Sequence, residues 1–487
     1  MNVRDLEPKV LWNYFADLNA IPRPSKKEER VIAFMLEFGR SLGLDTQCDA
    51  IRNVIIKKSA TPGMEDRKTV ILQAHLDMVH QKNGDTLFDF DAQGIEMLVE
   101  NDWVRAQGTT LGADNGIGVS AIMAVLASTD IPHPALEAMF TIDEETGMTG
   151  AMQLDPRNFS GEILLNLDTE DDDELSIGCA GGIDTNTSYV YSPEELASGS
   201  VIFKLSVKGL LGGHSGMDID KGRANANKLM NRLLLAAKET CGIQLLSLNG
   251  GSLRNAIPRE SVALVAVTAE KQTQFVDLIG ELTATLAHEF RSIEPGLIVA
   301  CERTESELKQ AVAESDFTKI VRAIYAVHNG VFRMSPEIEG LVEASSSLAK
   351  VQVEDGVFST QSLQRSSVES SKTDVANAVR LAFEAVGCEV SQGGEYPGWQ
   401  PNPNSEILNL MADLYRERYN EEPKIKACHA GLECGILLRH LPKVDMISFG
   451  PNIRAAHSPD EKVQISSVQK FWAYYLEVLK RTPLKGS

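Results

Sequence analysis

Several features common to other protein classes are missing from this chain. Its seven cysteines (Cys48, Cys179, Cys241, Cys301, Cys388, Cys428 and Cys434) are odd in number and scattered, and no CxxC pair occurs among them. That spacing suggests neither a disulfide framework nor a thiolate zinc site. Cys428 and Cys434 flank ACHAGLEC, but this fits no common zinc motif. No stretch approaches the ~20 apolar residues of a membrane span. The start, MNVRDLEPKVLWNYF, has no apolar core of signal-peptide length. Positive charge is scarce: 47 Lys and Arg stand against 68 Asp and Glu, giving a net charge of −21. Nucleic acid and anionic membrane are therefore poor partners. There is no GxxxxGK[ST] phosphate loop either. The expectation is a soluble, cytoplasmic protein with free thiols, with no nucleic acid and no membrane partner.

What is present is length and a set of acidic and histidine motifs. A chain of 487 residues is too long for one compact core, so two or three domains are expected. Helical periodicity covers 9–18 and 28–42, where Val31, Phe34, Met35 and Phe38 form one stripe. Residues 69–77, 136–142 and 161–168 read as buried strands, and 116–128 as a helix. This alternation predicts an α/β layer with a mostly parallel sheet flanked by helices.

The character changes near Gly181. A strand at 201–207, a helix at 224–238, strands near 245–253 and 261–267, and a helix at 273–291 make an α+β unit. A second, similar unit spans about 349–392. Past GGEYPGWQPNPN the α/β character returns, with a helix at 405–418, a strand at 444–449 and a helix near 468–481. The chemistry-bearing motifs lie only in the first and last segments. We therefore read a discontinuous catalytic domain (1–181 and 397–487) interrupted by an inserted α+β domain (182–396).

The most informative feature is the doublet Glu144-Glu145, at the end of LEAMFTIDEETG. Consecutive side chains point in different directions, so one carboxylate can bind a metal while the other handles a proton. Spacing alone does not say which does which. His75 and Asp77 are two apart in a predicted strand and share a face. They can supply an imidazole and a carboxylate that orients it, although a buried histidine beside a turn aspartate looks the same. Asp114 sits in GADNGIG, where an ordinary helix cap is the simpler reading. Asp168 ends LLNLD, and the acidic run 170–174 after it reads as a solvated loop. His457 lies in AAHSPDE, a loop beyond the last strand. Together these give two histidines and three carboxylates plus a spare glutamate. That is too little sulfur for a structural zinc site and too much nitrogen for calcium or magnesium. Two divalent ions bridged by one carboxylate would use all five ligands and leave open positions for water.

HLDM, GADNG, DEETG, NLDTE and AHSPDE, in this order and spacing, resemble the dinuclear zinc exopeptidases related to aminoacylase and glutamate carboxypeptidase. Within that family they are most similar to the bacterial aminoacyl-histidine dipeptidases. The similarity runs over nearly the whole chain, including QAHLDMVHQKN, RAQGTTLGADNGIG and HAGLECG.

The resemblance implies a discontinuous zinc-exopeptidase domain with an inserted lid. It implies two zinc ions, with cobalt or manganese as substitutes. His75 and Asp168 would bind one ion, Glu145 and His457 the other, and Asp114 would bridge them before a cis peptide bond to Asn115. Asp77 would orient His75, and Glu144 would be the general base. The implied reaction is attack of a zinc-bound hydroxide on unblocked dipeptides, Xaa-His substrates such as β-alanyl-histidine (carnosine) included. His214, in GGHSG, would stabilise the oxyanion. GGHSGM is no nucleophile elbow, because Met217 stands where GxSxG needs glycine. Asn255 in RNAIPRE would contact substrate. Arg365 would take its C-terminal carboxylate, with Arg254, Arg259 and Arg223 as competitors. Glu433, near His429 in CHAGLEC, would meet the free ammonium group.

Relatives of this kind are commonly homodimers, so a homodimer is an expected assembly. A duplicated lid unit would lessen the need for a partner. Two other readings remain open at this level. An aminoacylase-like deacylase would share the metal centre but accept N-acylated substrates. A non-catalytic metal-binding scaffold would have no use for the spare glutamate.

Overall fold

The apolar run beginning at Thr69 folds as the strand Val70–His75, with all six residues buried. The computed structural model, which describes residues 2–486, places this strand inside an eight-stranded sheet. The strand order is Asp45–Cys48, Val54–Lys58, Leu136–Thr141, Val70–His75, Ile163–Asn166, Asp445–Ser448, Glu174–Cys179 and Lys424–Cys428. The expected parallel pairing holds for the four central strands, Leu136–Thr141 to Asp445–Ser448. The pairs at the Asp45–Cys48 edge are antiparallel, as is the pairing of Asp445–Ser448 with Glu174–Cys179. Strands buried on both faces read as continuous apolar runs, and that is why these central segments were legible. Their carboxyl ends collect the candidate ligands, as open α/β sheets do.

The helix Ala113–Ala127 begins irregularly. Gly112 is left-handed at φ 71°, and Asp114 and Asn115 are non-helical, so regular helix starts at Gly116. Among the described residues no helix is long and apolar enough to cross a membrane.

The chain divides into two compact units. The first comprises residues up to Gly178, Trp399–Ala427 and everything from Leu432 on; the second is Cys179–Gly398 with Cys428–Gly431. The sequence reading gave all of 397–487 to the first unit. The short segment sits with the second because Ala180 N–H donates to the carbonyls of Cys428 and Ala430, both at 3.0 Å. The Ser345 hydroxyl also bonds His429 Nε2 at 2.8 Å.

The second unit is built on one sheet rather than two separate ones. Its order is Ile298–Thr304, Ser200–Lys208, Ser261–Thr268, Gln244–Gly250, Val342–Glu354, Val357–Ser366, Gly181–Val190 and Glu389–Tyr396, with Gly330–Met334 paired to Val342–Glu354. The two α+β stretches expected from the sequence meet where Leu248–Gly250 pairs with Val351–Val353. Helices Ala226–Cys241, Gln272–Glu289, Glu314–Ala326 and Glu369–Glu384 contribute Met230, Phe275, Phe317 and Phe383 to a single core against that sheet.

Candidate metal centre

In the first unit the side chains predicted as ligands converge. His75 ends its strand and Asp77 follows two residues on. Asp143, left-handed at φ 56°, turns the chain from Leu136–Thr141 into a short helix that opens with Glu144 and Glu145. Asp168 lies just past Ile163–Asn166. His457 stands in a loop where it and Ala455 have positive φ.

Asp114 lies at the middle. Its Oδ1 is 3.1 Å from His75 Nε2 and its Oδ2 is 3.1 Å from His457 Nε2. Asp168 Oδ1 is 3.5 Å from His75 Nε2, and Glu145 Oε2 is 2.9 Å from His457 Nε2. Ligand atoms of His75, Asp114 and Asp168, and of Asp114, Glu145 and His457, each lie within 4.8 Å of one another. A third such group joins His75, Glu144 and Glu145. The Asp114–Asn115 peptide is cis, and the Asn115 amide reaches Asp168 Oδ1 and the Leu167 carbonyl. Asp77 Oδ1 lies 3.5 Å from His75 Nδ1. Asp77 also accepts from the backbone N–H groups of Glu144 and Glu145 and from the Ser25 hydroxyl.

The electrostatics are those of acids crowded around two imidazoles. Hydrogen bonds that His457 donates to Asp114 and Glu145 raise it to about 11. Burial opposes protonation of His75, but Asp168, Asp114 and Asp77 carry it well above its ordinary value. Burial and the nearby Asp114 raise Asp168 to about 6, against the pull of His75. Burial pushes Glu144 well up; His75 opposes this, and Asp168, Glu433 and Glu145 add to it. Among the described residues, the Glu144 carboxylate has no hydrogen-bond partner. Glu145 Oε1 is buried without one.

One expectation about the nearby acids changes. The run at 170–174 is not simply solvated. Asp171 pairs with Arg454, Asp172 with Lys470, Asp173 with Lys424 and Glu174 with Lys426. Among the described residues Glu170 has no such pair. It is raised to about 8 by burial, then by Asp114 and Asp168. Glu433 is held through one oxygen only, and among the described residues its buried Oε1 has no hydrogen-bond partner. It is 2% exposed, and its Oε2 accepts from Gln73 at 2.7 Å and Thr141 at 2.8 Å. Burial raises it to about 7.

In the second unit His214 lies in the strand Gly213–His214, paired with Ala256–Ile257. Asn255 is exposed, and its carbonyl takes the Ser215 N–H at 2.9 Å. His214 Nδ1 accepts from the backbone N–H groups of Gly216 and Met217 at 3.2 and 3.1 Å. A neutral ring bonded this way carries its proton on Nε2. Burial, then Arg365, lowers His214 to about 4 and so keeps it neutral. Arg365 is 3% exposed. Its Nη1 donates to the Tyr396 hydroxyl at 2.7 Å, and its Nη2 stands 3.3 Å from His214 Nε2. Two donors thus face each other with no acceptor between them, and Arg365 Nε is also unpartnered. The competing arginines are engaged elsewhere. Arg254 pairs with Asp184, Arg223 with Asp218, and Arg259 donates to the Leu210 carbonyl.

A family model described as Peptidase family M20/M25/M40 matches residues 71–481. The chain belongs to that family. This M20 peptidase is 40% identical to the cytosol non-specific dipeptidase of Escherichia coli K12 over 480 residues, 99% of each chain. The crystal structure of aminoacylhistidine dipeptidase from Vibrio alginolyticus has a TM-score of 0.94 with it at 42% identity, covering 100% of this chain and 99% of that one. A tripeptidase from Staphylococcus aureus shares the fold, with a TM-score of 0.55, 14% identity and 98% of each chain covered. The family agrees with the one its motifs resemble.

Sequence reasoning passed over two buried residues of this M20 peptidase. Glu461 closes the motif AAHSPDE, so its place four residues after His457 was an available signal. Arg23, between two prolines in IPRPS, gave none.

Proposed function

We propose that this M20 peptidase is a cytoplasmic, metal-dependent dipeptidase with two zinc ions per chain. It would hydrolyse unblocked dipeptides, with Xaa-His substrates such as β-alanyl-histidine (carnosine) among them. The observation that carries the metal assignment is Asp114, whose two oxygens each face a different histidine. Dipeptidases that match over nearly the full length support the substrate class.

The donor set fits the ions. It is nitrogen and oxygen only, as hydrolytic zinc sites often are, and the buried, unpartnered Glu145 Oε1 is an acceptor that a cation would satisfy. His75 and Asp168 would hold one ion and Glu145 and His457 the other, with Asp114 shared. Cobalt or manganese would substitute. When bound, the two ions would acidify a water and polarise the scissile carbonyl.

Glu144 would take the proton of the attacking water and return it to the leaving amine. Its lack of a hydrogen-bond partner leaves it available for this, and its raised pKa suits a proton carrier. Asp77 would hold the His75 ring and the backbone of the doublet. In the second unit, His214 Nε2–H would donate to the developing oxyanion. Arg365 would bind the C-terminal carboxylate through two hydrogen bonds, and Asn255 would contact substrate. Assembly as a homodimer is part of the proposal.

A dipeptide panel run with zinc, cobalt and manganese, beside the N-acetylated counterparts, tests this reading. Hydrolysis that disappears when the amine is blocked supports it. Preference for the acylated substrates would make the protein a deacylase. Two bound ions with no hydrolysis of any dipeptide would overturn it.

A further inference from the structure

Arg23 and Glu461 have no proposed role toward substrate or ion, yet both are sealed within the first unit, at 0% and 2% exposure. Arg23 Nη1 donates to the carbonyls of Leu76 and Asp77 at 3.0 and 3.1 Å. Its Nη2 donates to the Gly112 carbonyl at 2.7 Å and to Asn19 Oδ1 at 3.1 Å. Glu461 accepts from four consecutive backbone N–H groups: Leu111 at 2.7 Å, Gly112 at 3.0 Å, Ala113 at 2.7 Å and Asp114 at 3.3 Å.

Gly112 is thus held from both sides, its carbonyl by the guanidinium and its N–H by the carboxylate. Only glycine fits there. Its φ is 71°, and an added Cβ would lie 2.5 Å from Arg23 Nη2. The four N–H groups around Glu461 would otherwise be unmatched donors beside the irregular start of a helix. A carboxylate is the acceptor such a cradle favours.

The consequence concerns which segments are tied together. Arg23 fixes the peptide that follows His75. Glu461 fixes the loop that ends in Asp114. Glu461 also shares the short turn that carries His457, where its own N–H donates to the Ser458 carbonyl at 3.0 Å. Three segments far apart in sequence, bearing three of the five ligands, therefore converge on one buried pair of opposite charge. Such a pair is weak evidence for stability, because desolvating both charges offsets their attraction. Its value lies in geometry.

We propose that Arg23 and Glu461 are positioning residues that set the spacing of His75, Asp114 and His457 before metal arrives. The inference rests on the ligand set given under Proposed function. Groups that orient metal ligands in this way typically account for 10–100-fold in metal affinity.

The test is metal titration of the purified, metal-stripped protein and its E461Q and R23K variants, read by cobalt absorption and by bound stoichiometry. In E461Q an amide must place its own N–H₂ against backbone donors. In R23K one ammonium must replace a two-armed fork. Expected is a loss of tenfold or more in affinity for at least one of the two ions, with an altered cobalt spectrum. V478A, which removes buried volume from the helix Ile465–Arg481, controls for general destabilisation. It should keep two ions and the wild-type spectrum at a comparable loss of unfolding midpoint. If E461Q and R23K bind both ions as wild type does, or if V478A loses metal equally, the positioning role is overturned. If the wild-type chain binds no divalent ions, the metal assignment itself fails instead.

Discussion

The Glu144 backbone N–H donates to Asp77 Oδ1 at 3.1 Å, and the next N–H, of Glu145, donates to Oδ2 at 3.2 Å. The same carboxylate faces the His75 ring. One buried side chain thus lies against a histidine, 3.5 Å from its Nδ1, and against the acidic doublet together. In Asp77→Asn, an amide N–H₂ must confront at least one of these donors. We expect metal affinity to fall 10–100-fold and kcat/KM by at least tenfold, measured by titration and steady-state kinetics. Wild-type values for both would show that Asp77 orients nothing.

Glu144→Gln keeps shape but cannot accept the proton. Turnover should fall by 10²-fold or more, the range typical of a positioned base. Elemental analysis should still find two ions. Substantial residual turnover would move the base elsewhere, and loss of one ion would make Glu144 a ligand.

Chelation should abolish activity, and added zinc, cobalt or manganese should restore it. Reloading should also release protons. In the metal-free chain His457 is held protonated by Asp114 and Glu145, and an ion must displace that proton. Calorimetry in two buffers of different ionisation enthalpy reads the release directly. Identical heats would mean His457 is already neutral.

His429 gives the second unit a pH dependence. Burial, then Arg365 and His214, lowers it from 6.5 to about 3. Below pH 6.5 the unfolded chain takes a proton that the folded ring refuses until about pH 3. Its contribution is therefore complete above 6.5 and lost as pH falls, at up to about 1.4 kcal/mol per pH unit. Denaturant midpoints at pH 7.5 and 5.0 should differ less in His429→Gln than in wild type. An unchanged difference would place the effect elsewhere.

Gly450→Ala probes the segment that carries Asp168. A Cβ at 450 would lie 1.9 Å from the Thr169 carbonyl oxygen, so backbone must move. The expected cost is of order 2 kcal/mol with weakened metal binding. Thermal unfolding with and without zinc separates the two, and a neutral variant would show that the contact is slack.

Much of this was readable because its physics is local. Val70–His75 and Leu136–Thr141 are continuous apolar runs, and candidate ligands sit at their ends, where the pattern stops. His75, Asp114, Glu145, Asp168 and His457 carry chemistry in their residue types, so the ordered motifs pointed to them. What escaped depends on partners distant in sequence. Arg23 looks like any arginine until the Leu76 and Gly112 carbonyls are seen around it. Gln73 and Thr141 hold one oxygen of Glu433 and leave the other without a partner among the described residues, which its motif alone does not tell. The four ion pairs at 171–174 need lysines and an arginine more than 200 residues away. The join of the two α+β stretches rests on three residue pairs at Leu248–Gly250, which no periodicity announces.

The strand Asp445–Ser448 lies between Ile163–Asn166 and Glu174–Cys179, and Ser448 meets Asn166 across 282 residues of chain. A ribosome emits those partners in order, at roughly 5–20 residues per second. The early strands therefore wait roughly tens of seconds with a gap between Ile163–Asn166 and Glu174–Cys179 while the inserted unit is made. The candidate ligand His457 follows that strand in the chain. During synthesis four of the five candidate ligands are therefore made long before the fifth can join them.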